Sequence, residues 1–129
     1  METILVAYDD PHTATLGRAA DLAEALGAAL IVTNVAPPAD SEKEEKAEGH
    51  ARERLDQARS YLEQRRLDAE LVPSTGPPAD AIVRLARQRN VGLIVVGTRR
   101  KGFFERLVEG SVNQEVLRHA PCDVLVVYS

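Results

Sequence analysis

The sequence is poor in cysteine, which excludes one common way of stabilising a small chain. Its single cysteine, Cys122, cannot form an intrachain disulfide. Because Cys122 begins an apolar run, we interpret it as a small buried hydrophobe rather than a reactive thiol. A hydrophobic core must then hold the fold, and 129 residues with 44% apolar content are enough for one domain that spans residues 1–129.

Long apolar runs and an excess of positive charge are also missing. No apolar run approaches the roughly 18 residues that a membrane-spanning helix needs. The start, METILVAYDD, enters a strand pattern at once, without the basic segment of a signal peptide. We therefore expect a cytoplasmic protein with no membrane association. The net charge of −4 argues against nucleic acid as the main partner.

Several motifs that carry chemistry are absent too. There is no Gly-Lys-Ser/Thr element, which excludes a Walker-type phosphate site. No Ser-His-Asp or Cys-His spacing stands out, although a triad defined by geometry can escape a sequence reading. The histidines are isolated: His12 beside two aspartates is a weak metal signal, and His50 and His119 lie on helical segments. We assign no catalytic residue and no metal ligand.

What the chain does contain is a regular alternation of apolar strands and helical patterns. The predicted strands cover residues 4–8, 29–35, 69–72, 91–96 and 124–128, and the predicted helices end at Gly27, at about Arg66, at Asn90 and at His119. A turn-rich connection is expected from Pro73 to Pro78. This alternation predicts an α/β fold with a single open, mostly parallel five-stranded sheet and four helices on both of its faces.

The most informative stretch is residues 91–116, where the strand VGLIVV leads through a basic loop to a helix. Gly97 is expected to let the chain turn at the end of the strand and to leave room for a ligand. Gly110 and Ser111 stand where the helix begins, so free backbone N–H groups, the helix dipole and a hydroxyl meet there. This arrangement predicts a phosphate-binding site.

The spacing resembles the nucleotide-binding motif of the universal stress protein family, Gly-x-x-Gly-x9-Gly-Ser/Thr. Gly97, Gly110 and Ser111 are in register with it, whereas Arg100 stands at the position of the second glycine. The flanking sequence VEGSVNQEVLRHAPCDVLVV, the first strand and the chain length match as well. The resemblance implies a Rossmann-like sheet with strand order 3-2-1-4-5, and a cytoplasmic stress-response protein that is regulatory rather than catalytic.

The resemblance also implies which residues contact a nucleotide. Ala7 and Asp9, after the first strand, and Val35, at the end of the second, match the family's adenosine contacts. Phosphates would bind at the turn formed by Gly110, Ser111 and Val112. The loop after the fourth strand supplies the remaining candidates, namely Gly97, Thr98, Arg99 and Arg100. The implied ligand is ATP or another adenine nucleotide such as AMP. Whether a magnesium ion accompanies it is left open, and any catalysis would be at most a weak ATPase activity.

Arg100 keeps a second interpretation open. Without the second motif glycine, the chain could be a dimeric interaction module of the same family that binds no nucleotide. A third interpretation, a nucleotidyl transferase or ATP pyrophosphatase, would need His-x-Gly-His or Ser-Gly-Gly-x-Asp-Ser after the first strand. The sequence DDPHTAT stands there instead.

The last predicted strand, DVLVVY, is apolar and would invite pairing if it formed a bare edge of the sheet. Members of the family pair their last strands about a two-fold axis. The resemblance therefore implies a homodimer centred on Val124, Val126 and Tyr128.

Overall fold

The fold is an open sheet whose strands are linked by helices. The structure, a computed structural model, describes residues 2–8, 14–36, 41–98 and 112–128. In chain order the elements are β1 (Thr3–Ala7), α1 (Ala14–Leu26), β2 (Ala29–Ala36), α2 (Ser41–Gln64), β3 (Glu70–Thr75), α3 (Pro78–Gln88), β4 (Leu93–Thr98), α4 (residues 112–119) and β5 (Asp123–Tyr128).

All strand pairings in the sheet are parallel, in the order β3-β2-β1-β4-β5. The predicted fold class and strand order are therefore confirmed. β1 lies at the centre, where Leu5 is in register with Ile31 of β2 on one side and with Ile94 of β4 on the other. A central strand is covered on both faces, which explains why the β1 and β4 sequences show continuous apolar runs rather than alternation.

Two hydrophobic clusters fill the space between the sheet and its helices. The first joins α1 and α2 to alternate strand residues such as Ile4, Val32 and Val95. The second joins α3 and α4 to the intervening strand residues, among them Leu5 and Ile94. Successive side chains of a strand point to opposite faces, so each central strand contributes to both clusters. Two helices on each face agree with the predicted arrangement.

Arg65, just after α2, ties α2 to α1. Its guanidinium donates to Asp21 at 2.8 Å and to Glu24 at 3.1 Å, and also to the Gly17 carbonyl oxygen and the Tyr61 hydroxyl. The bond to the Asp21 carboxylate, followed by that to Tyr61, raises the pKa of Arg65. Arg65 thus holds α1 beside α2 through three groups of α1, the Asp21 and Glu24 carboxylates and the Gly17 carbonyl oxygen.

Most of the helix ends lie where the local sequence predicts them. Gly27 has a φ of 62° and Ala28 donates its N–H to the Ala23 carbonyl oxygen at 2.9 Å, which confirms the expected glycine cap of α1. Pro78 opens α3, as expected for a residue without an N–H group. Asn90, expected at the end of α3, has the left-handed φ of 51° that such a position favours.

Two predicted boundaries are wrong. Pro73 was assigned to a turn, but β3 runs from Glu70 to Thr75 and pairs Pro73 with Asn34. Proline is tolerated there because β3 is an outer strand of the described sheet. Gly97 was assigned to a turn after the fourth strand, but it lies within β4, in register with Val127. The strand ends one residue later, at Thr98.

Candidate functional site

The carboxyl ends of β1, β2 and β4 lie side by side at one edge of the sheet. From β1 the chain passes through α1 to β2 on one side, whereas β4 is reached later and pairs with the other side of β1. The winding direction therefore changes between β1 and β4. In open α/β sheets, ligands bind outside the strand ends at such a point.

The described candidate residues other than Gly97 lie on one side of the sheet at this edge. Ala7 and Val35 are both half-buried and both pack against the cluster beneath α3 and α4. Thr98 follows Val96 by two residues, so it points to the same face, and it is 6% exposed. Val112 is the first described residue of α4, on that same side of the sheet. The fold therefore places Ala7, Val35, Thr98 and Val112 on the side of the sheet that α3 and α4 cover.

The other candidate residues stay predictions. Asp9, Arg99, Arg100, Gly110 and Ser111 lie outside the described residues. The predicted phosphate-binding turn falls in the part of the chain between two described segments, β4 and α4.

Gly97 does not leave room for a ligand in the direction of its missing side chain. A Cβ atom built on Gly97 would lie 2.3 Å from the Thr15 hydroxyl oxygen, far inside van der Waals contact. Thr15 belongs to the first turn of α1 and is buried. Gly97 itself is exposed, so its backbone remains accessible from the other side. The glycine thus permits the close approach of α1, and its expected contact with a ligand stays a prediction.

Two polar residues of β2 were missed in the sequence reading. Thr33 is completely buried, and its hydroxyl donates to the Val72 carbonyl oxygen at 2.7 Å and shares a second bond of 2.7 Å with the Ser74 hydroxyl. A buried hydroxyl must find such partners to offset its desolvation. The signal was available, because Thr33 and Asn34 interrupt an otherwise apolar strand close to its carboxyl end.

Asn34 holds Tyr8, the last described residue before Asp9, in place. Its side-chain amide donates to the Tyr8 carbonyl oxygen at 2.7 Å, and the Tyr8 N–H donates to the Thr33 carbonyl oxygen at 2.8 Å. Asn34 is 3% exposed, so this amide bond is shielded from water. Both backbone groups of Tyr8 are therefore bound to β2, and the chain enters the β1–α1 connection from a fixed position.

At the opposite edge, the amino ends of β2 and β3 line an open groove of about 780 Å³. Arg66, Asp68, Glu70 and Arg89 give it charges of both signs. Arg89 forms an ion pair with Glu70, and this hydrogen bond raises the pKa of Arg89. The groove carries none of the candidate residues, so we locate the site from the topology of the sheet.

Other chemical features were sought within the described ranges. Desolvation, with a smaller contribution from Asp123, raises the pKa of the half-buried Cys122 thiol, which disfavours its thiolate form. Residues 2–8, 14–36, 41–98 and 112–128 contain no group of three or more His, Cys, Asp or Glu side chains that could hold a metal ion. In that same part of the chain, no helix has the length and apolar character needed to cross a membrane.

Comparison with known proteins gives consistent results in sequence and in structure. A model described as the universal stress protein family matches residues 1–128. A protein of Staphylococcus aureus (strain USA300), named as a universal stress protein, is 33% identical over an alignment that covers 98% of this chain and 83% of that protein.

Two solved structures resemble the fold closely. A universal stress protein in complex with cAMP is 28% identical, with a TM-score of 0.78 and coverage of 98% of this chain and 96% of that one. A universal stress protein from Archaeoglobus fulgidus is 27% identical, with a TM-score of 0.81 and coverage of 98% and 93%. The sequence-based resemblance is thereby confirmed.

Proposed function

The chain belongs to the universal stress protein family, and from this we propose that it binds an adenine nucleotide between the carboxyl ends of β1 and β4, in a regulatory role. The observation that carries the proposal is the 28% identical relative solved in complex with cAMP, whose fold covers nearly the whole of this chain. The change of winding direction beside β1 supports the same location.

We assign the adenosine to the face that Ala7 and Val35 share. Their half-buried apolar side chains offer a surface for a flat base, and the Asp9 carboxylate is able to accept hydrogen bonds from a ribose hydroxyl or an adenine amine. Asn34 supports this role indirectly, because it holds the carbonyl group of Tyr8, the residue before Asp9.

We assign the phosphates to the turn formed by Gly110, Ser111 and Val112, at the start of α4. Free N–H groups and the helix dipole favour an anion at such a position. Thr98 and Arg99 would lie on the opposite side of the phosphates, and the basic run that Arg99 begins would attract them. ATP is the nucleotide we propose. If a magnesium ion accompanies it, Asp9 and Asp10 have the carboxylate oxygens that this ion prefers.

Calorimetric titration with ATP, AMP, cAMP and adenosine, with GTP as the control for base recognition, tests the proposal. Ser111→Ala should weaken ATP binding about tenfold, since a charge-assisted hydrogen bond contributes roughly 1.5–3 kcal/mol. Gly110→Val should weaken it more, because a branched side chain would obstruct the phosphates. Ser60→Ala, at an exposed position of α2, is the matched control and should bind as the wild type does. Equal affinities for all four proteins would refute this location.

Arg100 favours the alternative function, an interaction module that binds no nucleotide. We propose instead that its guanidinium binds the phosphates and so replaces a lost backbone donor. Both Arg100→Gly and Arg100→Ala should then lose affinity for ATP and keep their affinity for adenosine. A gain in ATP affinity in Arg100→Gly alone would mean that Arg100 obstructs the site, and would support the alternative.

We further propose a cytoplasmic homodimer formed through β5. Val124 and Val126 are only half-buried, and Tyr128 is 60% exposed, although all three belong to a strand of the sheet. Pairing with a second β5 would cover them. Light scattering at micromolar concentration should give twice the mass of the chain, and a monomer there would contradict the proposal.

A further inference from the structure

The first turn of α1 stands against β4 at the edge that we assign to the nucleotide. Thr15 is 6% exposed, and its hydroxyl oxygen occupies the space into which a side chain at position 97 would extend. The next nearest atoms to that position also belong to Thr15, its Cβ at 3.4 Å and its Cγ2 at 3.5 Å. The three atoms nearest to the missing Cβ therefore all belong to one side chain.

α1 has little freedom to retreat from β4. Gly17 follows Thr15 by two residues and so faces about 200° away around the helix. A Cβ on Gly17 would lie 3.0 Å from the Tyr61 hydroxyl, and Arg65 donates to the Gly17 carbonyl oxygen at 3.4 Å. Arg65 also binds Asp21 and Glu24 further along α1. The start of α1 is consequently held between β4 on one side and α2 on the other.

We propose that Thr15 is a positioning residue of the nucleotide site, and that position 97 requires glycine because α1 occupies the space and not because a ligand does. The contact sets the distance between the start of α1 and the end of β4, which border the same crevice. The exposed backbone of Gly97 remains available to a ligand. The part of the inference that concerns affinity rests on the proposed nucleotide binding; the steric part does not.

The steric part predicts a specific pattern of rescue. Gly97→Ala alone places its Cβ roughly 1 Å closer to the Thr15 hydroxyl oxygen than van der Waals contact permits. The thermal midpoint of unfolding should therefore fall by roughly 5–10 °C. Thr15→Ala removes the hydroxyl and the methyl group and leaves the Cβ at an ordinary 3.4 Å. The double variant Gly97→Ala, Thr15→Ala should therefore melt within about 2 °C of Thr15→Ala alone.

Thr15→Val is the matched control, because it replaces the hydroxyl by a methyl group of similar shape. Combined with Gly97→Ala it should stay as destabilised as Gly97→Ala in the wild-type background. If Thr15→Ala and Thr15→Val rescue Gly97→Ala equally, or neither rescues it, the clash lies elsewhere and the inference is wrong. Unfolding monitored by circular dichroism without nucleotide provides these values.

Affinity for ATP then separates a positioning role from direct contact. Gly97→Ala should weaken binding about tenfold, and the double variant with Thr15→Ala should return to within about threefold of Thr15→Ala alone. A double variant that regains its thermal midpoint but not its affinity would show that the ligand itself needs the space at position 97, and would overturn the proposal. If the wild type binds no adenine nucleotide, the proposed function fails, while the melting data still decide the steric pairing.

Discussion

The two outer strands of the described sheet, β3 and β5, differ in what they present to their surroundings. β3 begins with the exposed Glu70 and contains Pro73, which has no N–H group to offer another strand. β5 also begins with an exposed carboxylate, Asp123, but it has no proline, and the run VLVVY that follows is uncharged. Proline on an outer strand hinders pairing with another chain, so β5 is the more open of the two edges.

The two strands are also attached to the sheet in different ways. β3 is held to β2 by the Thr33 hydroxyl, which binds the Val72 carbonyl oxygen and the Ser74 hydroxyl. β5 is held by apolar packing, with Val127 buried in the cluster beneath α1 and α2, and Val126 packed on the opposite face. Polar side-chain contacts hold β3 within one chain, whereas β5 is held through Val127 and leaves Tyr128 60% exposed.

This asymmetry suits a closed assembly. A sheet with two open edges could add chains at both and grow without limit, while a sheet with one open edge can pair only once, about a two-fold axis. The comparison leads to three predictions, which begin with the change that should have the largest effect.

Val126→Asp should disrupt the proposed dimer. The substitution would place an unpaired carboxylate in a largely apolar interface, which costs several kcal/mol, so the dissociation constant should rise by about 100-fold or more. Thr75→Asp introduces the same charge at an exposed position of β3 and should leave the protein a dimer. Sedimentation equilibrium across a concentration series measures both. Dissociation by Thr75→Asp but not by Val126→Asp would reverse the roles of the two edges.

Thr33→Val should loosen the attachment of β3. The side chain keeps its shape but loses the donor for the Val72 carbonyl oxygen and the partner of Ser74, at a cost of about 1–3 kcal/mol in the free energy of unfolding. Thr75→Val, at an exposed position of β3, should change that energy by less than about 0.5 kcal/mol. Urea denaturation gives both values, and equal effects would mean that the buried hydroxyl contributes nothing specific.

Arg89→Gln should have the smallest effect of the three. Arg89 forms its ion pair with Glu70 at the exposed start of β3, where water and salt screen the attraction, so the thermal midpoint should fall by less than about 2 °C. The pair raises the pKa of Arg89, so its contribution is present below the unfolded pKa and is lost only as pH rises through the folded value. The difference between wild type and variant should therefore stay constant from about pH 6 to pH 9, and a marked dependence there would point to another group.

Much of this fold could be read from sequence because the signals are local. The β1 and β4 segments are continuous apolar runs, and Gly27 and Pro78 mark the ends of their helices by backbone chemistry alone. The strand order came from resemblance and was confirmed in the structure. Pro73 was misread because a proline predicts a turn unless its strand is known to be an outer one, and that depends on topology.

The candidate site was harder to predict, for a related reason. The motif singled out Gly97, but the side chain that occupies the space beside it belongs to Thr15, which is distant in sequence and adjacent only after folding. The bond from Asn34 to the Tyr8 carbonyl oxygen likewise depends on the pairing of β1 with β2. Local patterns identify which residues stand at the edge of the sheet; contacts between elements determine what those residues do.

The close approach of Thr15 to Gly97 also constrains how this sequence can change over time. If the proposed pairing holds, alanine at position 97 is harmful while threonine stands at position 15, and becomes acceptable once position 15 is smaller. The order of the two substitutions then matters: a lineage can pass through Thr15→Ala first, but not through Gly97→Ala first. Reversion is equally restricted, because a chain that has acquired alanine at 97 can no longer restore threonine at 15.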